Sequence, residues 1–92
     1  MAELNIHWQA PVLTLAGELS RHTVPQLWQG LRQYGTIDRV VLDDLEQVDT
    51  AGLAMLVQLW EDNPGLILAG ASQRLRKLAE LGDLLEILPF AE

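Results

Sequence analysis

Between residues 37 and 69 the chain changes its hydrophobic period twice, and nothing else in it restricts the fold as much. Ile37 to Leu42, centred on Val40-Val41-Leu42, is a short, nearly continuous apolar run, as expected of a strand covered on both faces. Leu53, Leu56, Val57 and Trp60 then recur at helical spacing, and the helix runs to about Asp62 before Asn63-Pro64-Gly65 stops it. Leu66-Ile67-Leu68-Ala69 reads as another buried strand, with Gly70 and Ala71 as its exit. A strand, a helix and a strand in that order imply a largely parallel sheet with right-handed crossovers.

The flanking segments extend the pattern. Leu4-Asn5-Ile6-His7-Trp8 alternates as a half-buried strand, Gln9-Ala10-Pro11 is a turn, and Val12 to Ala16 is a second strand, so a hairpin is expected. Gly17-Glu18-Leu19-Ser20 leads the chain out of the sheet. Thr23 followed by Gln26 forms a capping-box pattern with Pro25 in the first turn. Val24, Leu27, Trp28, Leu31 and Tyr34 make one apolar stripe on a helix that Gly30 weakens and Gly35 ends. Asp43 to Asp49 reads as an acidic loop. Ser72 can cap a third helix bearing Leu75, Leu78, Ala79 and Leu81, closed by Gly82, and Leu84 to Leu88 can add a last short strand. The order is β-β-α-β-α-β-α with an optional final β, a single α/β domain over residues 1–92.

Charge and composition narrow the function. The chain carries 13 acidic and 6 basic side chains, a net charge of -7, which opposes binding to nucleic acid phosphates and to anionic membrane surfaces. With no cysteine there are no disulfides, thiolate zinc sites or cysteine nucleophiles. The N-terminus lacks the pattern of a signal peptide, and the apolar runs are far shorter than the roughly 20 residues that span a bilayer. A soluble, cytoplasmic protein with no membrane insertion is expected.

Candidates for chemistry are few. His7 falls on an edge strand and His22 ahead of a helix, both positions where histidine is usually solvated; the serines are Ser20 and Ser72. No nucleophile elbow, phosphate-binding loop or dinucleotide fingerprint occurs, so no enzyme activity and no cofactor are expected. Asp43, Asp44, Glu46 and Asp49 could offer oxygen ligands but lack the spacing of a calcium loop, and they read as a solvated loop rather than a metal site. Arg74, Arg76 and Lys77 hold half the basic charge, either as a solvent face or as a patch for a partner's carboxylates.

The start of the second helix is more informative. Asp49 or Thr50 can cap it, and Gly52 sits in its first turn at a cost of about 1 kcal/mol relative to Ala. Such a glycine suits a close approach to the backbone, here by a partner beside Thr50. Met55 and Leu59 widen the apolar arc to roughly 200°, with Ala51 at its edge. Either the helix is deeply buried, or Ala51, Met55 and Leu59 reach the surface beside Thr50 and meet another protein. Thr50 can be a plain cap residue or an exposed hydroxyl where a helix terminus tolerates phosphate, although Asp49, Asp43 and Asp44 would repel one.

Asp49-Thr50-Ala51-Gly52-Leu53 matches the Asp-Ser/Thr-x-Gly-Leu/Ile/Val signature of the STAS domain family, which includes anti-sigma factor antagonists. Leu15-Ala16-Gly17-Glu18-Leu19, Pro25-Gln26-Leu27-Trp28 and Leu66 to Leu81 resemble the MlaB-like branch of that family. The resemblance implies a mixed sheet with helices mainly on one side. It also implies a non-enzymatic subunit that docks on the MlaF-like ATPase of an ABC transporter, beside its permease, and supports outer-membrane phospholipid asymmetry. That places it at the inner face of the inner membrane through the complex. The contact region carries over to Asp49, Thr50, Ala51 and Gly52, with Met55 beside them. In anti-sigma antagonists the hydroxyl residue is usually a phosphorylated Ser, and Thr50 stands there in this chain.

Overall fold

A computed structural model describes residues 3–91. The elements are β1 (Leu4–Gln9), β2 (Val12–Leu19), α1 (Val24–Gly30) with a single 3₁₀ turn at Leu31–Gln33, β3 (Arg39–Val41), β4 (Leu45–Val48), α2 (Thr50–Asp62), β5 (Ile67–Ala69) and α3 (Gln73–Leu81). β1 and β2 form the expected antiparallel hairpin around Ala10 and Pro11, while β3 lies parallel to β2 and β5 parallel to β3. The strand order is β1-β2-β3-β5, with β4 also paired to β2.

β4 replaces the expected acidic loop. It runs parallel to the far half of β2, pairing Gly17 with Leu45, Glu18 with Gln47 and Leu19 with Val48 across a bulge at Gly17 and Glu18. β2 therefore continues through Leu19 instead of leaving the sheet at Gly17. Gly17 adopts φ 92, and a side chain there would meet the Glu3 carbonyl. Leu45 is the only fully buried residue of β4, so pairing with β2 makes the strand, and a period-2 search has little to find.

Leu13, Leu15, Val40, Leu42 and Leu68 fill one face of the sheet, and Leu27, Leu53, Leu56, Leu59, Leu75 and Ala79 meet them from the helices. Among the described residues no helix covers the opposite sheet face, so β3 and β5 are covered on one side rather than both; Val41 and Ala69 stay half-buried and Ile67 is exposed.

α1 departs from expectation in three ways. Thr23 makes no side-chain cap bond to α1, because its backbone is already helical (φ -115, ψ -17). Its hydroxyl instead donates to the Glu18 carbonyl at 2.8 Å and accepts from the Ser20 amide at 2.9 Å, while the Gln26 side chain donates to the Leu4 carbonyl at 3.1 Å. The helix ends at Gly30, not Gly35, since Tyr34 folds back over Gly30 to pack on Trp8 with ring centroids 4.9 Å apart. Trp28 lies outside the core stripe and is 55% exposed.

Ser72 caps α3, accepting from the Leu75 amide at 3.1 Å, and Gly82 follows its last turn as expected. The left-handed residue after α3 is Asp83, at φ 58. Leu84 to Leu88 form turns in place of a strand, and the last β pairing falls on Phe90, bridged in parallel to Leu68. Leu68 and Ala91 complete that bridge through amide bonds of 2.9 Å to the Pro89 carbonyl and 2.8 Å to the Leu68 carbonyl, which closes the β5 edge.

Candidate functional site

β4 delivers the chain to α2, and Asp49 is the residue that makes the junction. Its extended backbone (φ -103, ψ -173) turns the carboxylate back over the first turn, where Oδ1 accepts from the Gly52 amide at 2.9 Å. Oδ2 accepts from the Arg21 amide at 3.0 Å, and the Asp49 amide donates to the Leu19 carbonyl at 3.3 Å. One carboxylate thus caps a helix and fastens the β2–α1 loop to it. Burial alone would raise the Asp49 pKa, but the Arg21, Gly52 and Ala51 amides and the Arg21 charge outweigh it and hold the carboxyl below its usual 3.8.

The loop beside it is built from its own side chains. Ser20 is buried; its hydroxyl donates to the Glu18 carboxylate at 2.6 Å and accepts from the His22 amide at 3.2 Å. Together with the Thr23 bonds, this fixes the loop next to the α2 terminus; His22 is exposed, and Ser20 is enclosed by the loop it braces.

Thr50 is the first residue of α2 and is exposed, with no hydrogen-bond partner for its hydroxyl among the described residues. Asp49, not Thr50, is the cap. Ala51 is half-buried and Ala54, one turn beyond Thr50, is exposed, so the surface around the hydroxyl is low. Ala54 escaped the sequence reading because alanine carries little hydrophobic signal, yet its spacing from Thr50 places both on one helix face.

Met55 does not join this surface. It is 4% exposed and Leu59 is 1% exposed, so both belong to the core. α2 is flanked on both sides: Leu31, after α1, shares a cleft with Leu59 and Asp62, and α3 packs against the other side. That packing turns the Met55 flank inward and leaves Val57 half-buried at the margin of the exposed face.

Gly52 has a different cause from the one expected. It is buried, and a Cβ there would overlap the Leu19 carbonyl oxygen and stand 2.9 Å from its carbon and 3.0 Å from Val48 Cγ1. The close approach is made by the protein's own strand end, so the glycine seats α2 on β2.

The basic cluster divides. Arg76 donates to the Ala91 carbonyl at 2.7 Å and lies 5.2 Å from the Phe90 ring centroid, anchoring the C-terminal segment. Lys77 pairs with Glu80 at 3.9 Å on the surface. Arg74 faces Glu18, Glu46 and Asp49 across a cleft of about 280 Å³ between β4 and the start of α3. Among the described residues, no group of three or more His, Cys, Asp or Glu is placed to hold a metal ion, and no helix is long and apolar enough to cross a membrane.

A mixed sheet with its helices on one side is the fold of anti-sigma factor antagonists. SpoIIAA in its unphosphorylated form superposes with a TM-score of 0.70 at 19% identity, over 98% of this chain and 89% of that one. An anti-sigma factor antagonist from Mycobacterium paratuberculosis gives 0.74 at 18%, over 96% and 83%. The phosphorylated Bacillus SpoIIAA gives 0.63 at 17%, over 98% and 92%. The chain belongs to the STAS domain family: the family model described as MlaB, STAS domain, matches residues 2–89. No curated protein matches it.

Proposed function

We propose that this protein is a non-enzymatic binding subunit that docks through the start of α2 onto the cytoplasmic ATPase of an ABC transporter for phospholipids, and so supports the assembly and activity of a complex that maintains outer-membrane lipid asymmetry. It works at the inner face of the inner membrane, held there by the complex. The MlaB-labelled family match supports this reading. The observation that carries it is the surface formed by Thr50, Ala51 and Ala54: an unpartnered hydroxyl beside two small side chains, on a helix start that Asp49 and Gly52 hold rigidly against the sheet. A pre-formed, low surface needs little reordering to receive a partner. Asp49 and Gly52 act as its supports, and Met55 only as core.

Co-purification with the transporter ATPase tests the reading. Thr50→Glu places a charged side chain in the centre of the surface and is expected to abolish the complex while the far-UV spectrum and melting temperature stay near wild type. Retained binding by the folded variant overturns it.

A second reading, an anti-sigma factor antagonist switched by phosphorylation of Thr50, draws on the same exposed hydroxyl at a helix N-terminus. Against it, the adjacent Asp49 carboxylate stays ionised and already takes the Gly52 amide that a phosphate would use. Intact-protein mass spectra decide: a stoichiometric phosphate on Thr50 favours the switch, and an unmodified chain under all growth conditions removes it.

A further inference from the structure

The start of α2 is too small to be a whole interface. Thr50, Ala51 and Ala54 are one threonine and two alanines, and their area falls far short of the roughly 800 Å² per partner that a stable complex covers. A docked partner must extend past them, and the row that leads away from Thr50 gives a direction. Thr50, Ala54, Gln58 and Asp62 follow one another at four-residue spacing, each exposed or half-buried. Successive members of such a row shift by about 40° around the helix, so it slants across α2 and ends roughly 18 Å from Thr50. It ends against α1, where Asp62 lines a cleft with Trp28, Leu31 and Arg32.

Trp28 is 55% exposed, although α1 buries Leu27 beside it. Among the described residues, the other large apolar side chains that stand exposed lie elsewhere: Ile67 on the opposite face of the sheet, Leu81 at the end of α3 and Ile87 beyond it. The cleft at Trp28 is about 230 Å³. Trp28 and Leu31 are its apolar walls, and its two charges, Arg32 and Asp62, are opposite in sign. Asp62 already accepts from the Gln58 side chain at 3.2 Å. An uncharged, apolar side chain suits such a cleft. On the other flank of Thr50, Glu18, Glu46 and Asp49 face Arg74 alone, and an apolar contact there would bury carboxylates at a cost.

We propose that Trp28 is the apolar anchor of the docking surface: the ATPase that meets Thr50 also lays an apolar side chain against Trp28 and Leu31, between α1 and α2. The proposal rests on the reading of the α2 start as the ATPase contact and adds a second point of contact to it. Tryptophan is among the residue types that carry a disproportionate share of binding energy once a partner excludes water from them. A partner lying along the row from Thr50 to Asp62 reaches Trp28 without leaving the helix-bearing side of the sheet.

Binding titrations of the ATPase with the full chain test this. Trp28→Ala is expected to raise the dissociation constant by about tenfold or more, Trp28→Phe by less, and Gln29→Ala, at the next exposed position of α1, not at all. Oxidative footprinting of the wild-type complex needs no substitution: Trp28 is expected to lose most of its reactivity when the ATPase is bound. A folded Trp28→Ala chain that binds as tightly as wild type overturns the proposal, and so does a Trp28 that stays equally reactive in the complex. If Thr50→Glu abolishes binding in the same series, the α2 contact stands and only the Trp28 anchor fails. If Thr50→Glu binds like wild type, the docking reading fails and takes the anchor with it.

Discussion

Gly52 of α2 rests directly on the carbonyl of Leu19 at the end of β2, with no room for a methyl group between them. Helix propensity favours alanine over glycine there by about 1 kcal/mol. The neighbour is backbone and cannot rotate aside, so Gly52→Ala must push the helix off the strand. A net loss of about 1–3 kcal/mol is expected, read as a lower urea midpoint. A variant as stable as wild type would show that α2 seats differently.

Asp49 holds two segments, so its loss is expected to exceed that of an ordinary cap. Asp49→Ala should cost about 1–2 kcal/mol at neutral pH. The pH dependence separates charge from geometry, because asparagine also caps. The folded-state pKa lies below 3.8, so the unfolded chain takes up the proton first and stability rises with pH through that window. The advantage of wild type over Asp49→Asn should be full above the ordinary value and vanish as pH falls through the lowered folded one. Urea titrations at several pH values would reveal the convergence; an advantage that persists below it would mean that the charge is not involved.

Met55 and Ala54 make a paired test of which flank of α2 faces out. Met55→Ala should cost about 2–4 kcal/mol through a core cavity. Ala54→Arg should change stability by less than about 0.5 kcal/mol yet block capture of the ATPase. Thermal melts read alongside pull-downs distinguish the two, and the opposite result would restore Met55 to the surface.

Asp83 occupies a left-handed conformation at φ 58 just after α3, where its amide bonds to the Glu80 carbonyl at 3.0 Å and the Leu84 amide to the Ala79 carbonyl at 2.7 Å. That pattern normally takes glycine. Asp83→Gly is expected to stabilise the chain by up to about 1 kcal/mol, visible as a higher melting temperature.

Much of this molecule could be read without coordinates. Val40 to Leu42, Leu66 to Ala69, the 3.6-residue period from Leu53 to Trp60, the capping serine at residue 72 and the signature at residues 49–53 are all local patterns, and each stands where it was expected. Local periodicity and capping report how a segment can satisfy its own backbone and bury one side, which is why they survive in the sequence alone.

What the chain does between segments is another matter. β4 is a strand only because β2 lies beside it, and the Thr23 hydroxyl leaves the α1 cap only because Ser20 and Glu18 are within reach. Met55 is buried because α1 and α3 flank α2, a rotation that an apolar arc of roughly 200° leaves undecided. For the glycine beside Thr50, the sequence showed that something had to come close. Only the packed structure identified it as the Leu19 carbonyl, because the distance between two segments 33 positions apart is set by tertiary packing and leaves no trace in the spacing of either.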